Sequence, residues 1–162
     1  MTINPNFTKA DFHSQGLDNT NAYNTFNESG LSVPFDDFLL QRIITLLEYY
    51  EKCQFKEIEV VFVDEKKIIE TNRQYLNHDY ITDIITFPYG DETDLLEGTL
   101  FCCAAQIKRQ AKEFEVSFEN EVLRIVIHGL LHLIGYDDAT DERRSVMRTL
   151  EDKYIRYILE NE

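Results

Sequence analysis

Two histidines four residues apart, a glycine and an aspartate form the part of this chain best suited to chemistry. They lie in HGLLHLIGYDD, residues 128–138. On a helix, His128 and His132 stand one turn apart on one face. Two imidazoles so placed can converge on one ion. Gly135 allows a sharp chain reversal, and Asp138, three residues further on, can fold back as a third ligand. Burying two imidazoles without partners costs several kcal/mol, and one metal would serve both.

Three ligands leave a fourth position open, as in a catalytic site rather than a closed structural one. One divalent ion is therefore expected. Zinc suits tetrahedral N/O ligation, and the Asp carboxylate admits harder ions such as manganese or nickel. In H-E-x-x-H peptidases the residue after the first His is the general-base Glu. Here it is Gly129, so a metallopeptidase reading keeps the scaffold and loses its base.

The elements that must hold this motif follow from periodicity. Glu119–Ile134 (ENEVLRIVIHGLLHLI) is apolar almost all round and reads as a buried central helix. Ser117 is its candidate N-cap, Glu119 and Glu121 suit its positive start, and Gly135 its stop. Upstream, a short strand is expected at Ala22–Phe26. A helix at Phe35–Glu51 follows, with Phe38, Leu39, Arg42, Ile43, Leu46 and Leu47 on its face. Ile58–Val63 is β-branched and reads as a strand. Asp64 caps a helix to about Leu76. Ile84–Phe87 is a strand stopped by Pro88, Gly90–Glu97 a polar loop, Thr99–Cys103 a strand, Ala105–Phe114 a helix, and Asp141–Leu159 the last helix. This order implies an α+β (mixed α/β) fold, a small mixed sheet packed against the buried helix that carries the histidines. Residues 1–20 are expected to be a weakly ordered tail and residues 21–162 a single domain.

Composition narrows the function. The 162 residues carry a net charge of −14, which opposes general nucleic-acid binding. The charge is uneven: residues 101–162 hold 9 of the 16 Lys and Arg against 12 of the 30 acids, a net −3. Anion binding is therefore expected on the C-terminal part. Lys108, Arg109 and Lys112 put a basic edge on one helix, a pattern usually explained as a solvated face. Three cysteines without a C-x-x-C read as reduced core thiols, and adjacent Cys102 and Cys103 should point to opposite faces of a strand. No apolar run is long enough for a membrane span and the first residues lack a signal-peptide pattern, so the expected compartment is the cytoplasm.

Four stretches taken together resemble the YbeY family, bacterial metal-dependent endoribonucleases of ribosomal RNA maturation. They are NRQYLNHDYITD (72–83), IITFP (84–88), the strand start at Gly98 and HGLLHLIGYDD (128–138). The family usually ends the last motif in a third His where this chain has Asp138, and tends to have Gly-Asp where this chain has Gly98–Thr99. The resemblance places the family's recurrent arginine on Arg73 and implies a catalytic, substrate-binding role for it. Arg suits that role, because it grips phosphate oxygens with two donors. The resemblance further implies single-strand-specific cleavage in 16S ribosomal RNA 3′ end maturation and ribosome quality control. Implied partners are ribosomal RNA, the small ribosomal subunit and a basic ribosomal protein. Two other readings remain at this point: a metallopeptidase-like hydrolase, and a non-catalytic ribosome-assembly factor with a structural metal.

Overall fold

A computed structural model describes residues 22–90 and 94–161. The expected tail over residues 1–20 lies outside them. The elements are β1 (Ala22–Asn27), α1 (Asp37–Glu51), β2 (Gln54–Val63), α2 (Glu65–Leu76), β3 (Ile84–Tyr89), β4 (Leu95–Cys103), α3 (Ala104–Glu113), α4 (Phe118–Ile134) and α5 (Asp141–Glu160). The sheet runs β1-β2-β4-β3, with β1, β2 and β4 parallel and β3 antiparallel on the edge. The mixed α/β expectation holds.

Alternation along β2 sorts the core into two layers. Ile58, Val60 and Phe62 pack with α1, α4 and α5, while Val61 and Val63 face Ile68 of α2. Cys102 and Cys103 divide in the same way, one in each layer. Helix α4 buries Val122, Leu123, Val126, Ile127, Leu130 and Leu131 against the sheet side. It lies close because two glycines leave room. A Cβ on Gly129 would meet Ile84 Cδ1 at 2.7 Å, and one on Gly98 would meet Leu133 Cδ2 at 2.9 Å.

Several boundaries differ from expectation. β2 begins at Gln54 rather than Ile58, because Phe55 is fully buried between exposed Gln54 and Lys56. β4 begins at Leu95 rather than Thr99. β3 continues through Pro88 to Tyr89, which an edge strand tolerates because the missing N–H need not face a neighbour. The buried face of α1 is Leu40, Ile43, Ile44, Leu46 and Leu47. Phe38 and Leu39 are only half-buried, and Arg42 donates to the Ile158 and Asn161 carbonyls at the end of α5.

Candidate metal centre

The three motif side chains come together because α4 ends where expected. Ser117 caps its start, accepting from Asn120 N–H at 3.0 Å. At the other end Gly135 takes φ +127°, and the N–H groups of Gly135 and Tyr136 return to Leu131 O. The chain then reverses and brings Asp138 back over the last turn.

His128 Nε2 and His132 Nε2 lie 3.0 Å apart. Asp138 Oδ2 is 3.6 Å from the first and 3.9 Å from the second. Among the described residues these three form the group of potential ligands whose atoms all lie within 4.8 Å of one another. Asp137 is engaged elsewhere. It accepts from Ala139 N–H at 3.1 Å and pairs with Arg143 at 2.8 Å, and these contacts hold its carboxyl below the usual range. Asp141 pairs with Arg144.

A fourth residue orients the group. His128 Nδ1 lies 2.8 Å from Oε2 of Glu151, which is 5% exposed on α5. Arg124 balances that acid, donating to Oε1 at 3.1 Å and to Asp152 at 2.7 Å. Burial alone would lower the His128 pKa. The hydrogen bond and charge of Glu151, with the charges of Asp138 and Asp83, outweigh it and raise the pKa. A carboxylate on one ring nitrogen leaves the other free to ligate and makes it a better donor. The Nε2 atoms of His128 and His132, with the Asp138 carboxylate, fit a divalent ion. The side chains of His128, His132 and Asp138 are 22%, 29% and 47% exposed, so the group is open to solvent, unlike a closed structural site.

Two cavities meet at this group and share Asp83, His128 and Asp138. One, of ≈ 350 Å³, is lined by Arg124, Arg144 and Arg148 and by the carboxylates of Asp83, Glu121, Asp138 and Glu151. The other, of ≈ 500 Å³, lies against β3 and includes His132, Leu76 and Pro88. Arg73 lines neither. Its Nε and Nη2 donate to Asp79 Oδ1 at 2.9 and 2.5 Å on an exposed surface. Arg109 likewise pairs with Glu65 on the surface.

Residue reasoning missed Glu151 and the arginines of the first cavity. Glu151 carried a signal: Met147, Glu151, Tyr154, Ile155 and Ile158 form one buried stripe on α5, with an acid in the middle of it. Glu121, read as an acid suited to a helix start, is in fact buried at 2% exposure. Gly129 gains a physical reason, since a glutamate there would be driven into the sheet, which counts against the peptidase reading.

Comparison with known proteins gives the chain its relatives. The family model described as Endoribonuclease YbeY matches residues 25–158. Curated relatives include Endoribonuclease YbeY of Chlorobaculum tepidum, 41% identical over 74% of this chain and 87% of that protein. That of Bacteroides fragilis is 44% identical over 65% and 75%. The solution structure of TM1509 from Thermotoga maritima matches with TM-score 0.57 and 31% identity, covering 84% of this chain and 88% of that one. With the matched region spanning the sheet, the central helix and the histidine–aspartate group, this chain belongs to the YbeY endoribonuclease family.

Proposed function

We propose that this chain is a single-strand-specific, metal-dependent endoribonuclease of 16S ribosomal RNA 3′ end maturation and ribosome quality control. The observation that carries the reading is the candidate metal group at the junction of two cavities. A strand crossing that junction would leave one phosphodiester at His128, His132 and Asp138. A bound divalent ion, zinc by its donor set with manganese or nickel as alternatives, would act there as a Lewis acid on a phosphoryl oxygen.

The chain's own residues supply the rest. Glu151 holds the His128 ring in one orientation. Arg124 is paired with Glu151 and Asp152 and Arg144 with Asp141, so Arg148 is the cavity arginine that would meet a substrate phosphate. Single-strand preference is the part of the reading that the family implies, and the cleavage comparison below tests it. Arg73 lies one turn before cavity-lining Leu76 on the same face of α2, and we assign it a substrate phosphate beyond that cavity.

Residues 21–162 would act as one domain in the cytoplasm. Among the described residues no helix is long and apolar enough to cross a membrane. Ribosomal RNA and the small subunit are the partners the family implies, and the net charge of −14 suits a basic ribosomal protein. The test compares cleavage of one RNA sequence, single-stranded and as a duplex, with chelator and after metal is restored. Cleavage of the single strand alone, lost with chelator and regained with metal, is the expected result. Equal cleavage of both forms, or cleavage that survives chelation, overturns the reading.

A further inference from the structure

The cavity lined by Arg124, Arg144 and Arg148 contains a further carboxylate, outside the metal group, that none of these arginines hydrogen-bonds. Glu121 is 2% exposed, it lines the cavity, and its Oε2 has no hydrogen-bond partner. Its Oε1 accepts from Gln110 Nε2 at 3.4 Å, and the same amide donates to Asp83 Oδ2 at 3.2 Å. Gln106 fixes that amide by donating to Gln110 Oε1 at 3.1 Å. The amide's donors are therefore used up, and acceptors remain. An unpaired buried carboxylate oxygen is costly, and a ligand bearing N–H groups would relieve the cost. The exposed ring of Phe114 also lines this cavity, as do Arg124 and Arg148.

A matching ligand has a flat face for Phe114, neighbouring N–H donors for Glu121 and an anionic group for Arg148. Guanine nucleotides combine all three, because N1–H and N2–H₂ lie side by side on the Watson–Crick edge. Uracil offers one N–H between two acceptors. Adenine and cytosine offer an amino group beside a ring nitrogen whose lone pair would face the carboxylate. A cavity of ≈ 350 Å³ falls in the size range of small-ligand pockets.

We propose that this cavity is a guanine-selective nucleotide subsite in which Glu121 determines specificity, and that a base flanking the cleaved phosphodiester enters it. The position relative to the cut rests on the nuclease reading; the selective binding does not.

The test is calorimetric titration of the zinc-loaded protein with 5′-GMP, AMP, CMP and UMP, followed by mapping of cleavage ends on random-sequence single-stranded RNA. The four nucleotides share the phosphate, so the comparison isolates the base. GMP is expected to bind about tenfold more tightly than the others, or better, as a hydrogen-bonding site discriminates. Glu121→Gln, which puts a donor amide in place of an acceptor oxygen, should erase that advantage. Phe114→Ala, a change at an exposed ring, should weaken GMP binding even if the Glu121 variant fails to fold. Cleavage ends should show guanine enriched at one position beside the cut. Selective GMP binding with no RNA cleavage supports the subsite and overturns the nuclease reading. RNA cleavage without base preference, with the four nucleotides bound alike, overturns the subsite and leaves the nuclease reading standing.

Discussion

His128 and Glu151 stand on different helices, 23 residues apart in the chain, and meet through Nδ1 and Oε2 at 2.8 Å. The contact fixes which nitrogen of His128 faces His132 and Asp138. Glu151→Gln keeps the size and removes the charge. It should lower metal affinity about 10–100-fold, as loss of an outer carboxylate partner commonly does. Competition with a chromogenic chelator measures it, and an unchanged affinity would remove Glu151 from the site.

Asp138, and not Asp137, is the third member of the group. Asp138→Ala should weaken metal binding strongly and Asp137→Ala only mildly, since Asp137 is held by Ala139 and Arg143. Asp138→His would restore the ligand set usual in the family and tighten zinc binding by about 1–3 kcal/mol, judged by other changes around metal ligands. Equal metal retention by the two alanine variants would contradict the assignment.

Gly129 is set by packing. Gly129→Glu would push a carboxylate between α4 and the sheet, where a Cβ alone already meets Ile84 and Leu100. The expected cost is about 3 kcal/mol or more, or roughly 6–12 °C in melting temperature for a chain of this length. Calorimetry decides. A variant melting like the parent would mean that the helix can move away and that packing does not explain the glycine.

Arg148 and Arg73 should separate in kinetics. Arg148 lines the cavity that contains His128 and Asp138, whereas Arg73 is paired with Asp79 at the surface. Arg148→Ala should lower kcat/KM on single-stranded RNA about tenfold or more, as loss of a charged phosphate contact does. Arg73→Ala should raise KM with kcat little changed. It should leave the melting temperature within a few degrees, because exposed ion pairs contribute only about 0–1 kcal/mol. A fall in kcat for Arg73→Ala with unchanged KM would instead place that guanidinium at the reacting phosphate.

What could be read from the residues was local. The spacing of His128, His132, Gly135 and Asp138 lies within one helix and one turn, so it was visible without the fold. The apolar length of α4 and the caps at Asp64 and Ser117 were visible for the same reason. Glu151 and Glu121 act through partners on other elements, and only tertiary packing brings those together. Polar residues such as Lys56 and Glu57 hid the start of β2, because one buried Phe55 between exposed neighbours is too short a pattern. Arg73 was assigned by resemblance, and no periodic signal distinguishes a surface pair from a phosphate contact.

The most direct test of the account is elemental analysis of the protein purified without added metal, run with a single-stranded RNA cleavage assay on the same sample. The wild type should carry one divalent ion per chain, and cleavage should scale with metal content. His128→Ala, folded by circular dichroism, should hold no metal and cleave no RNA. A folded His128→Ala protein that retains metal and cleaves like the parent would contradict the central claim that this group is where the chain does its chemistry.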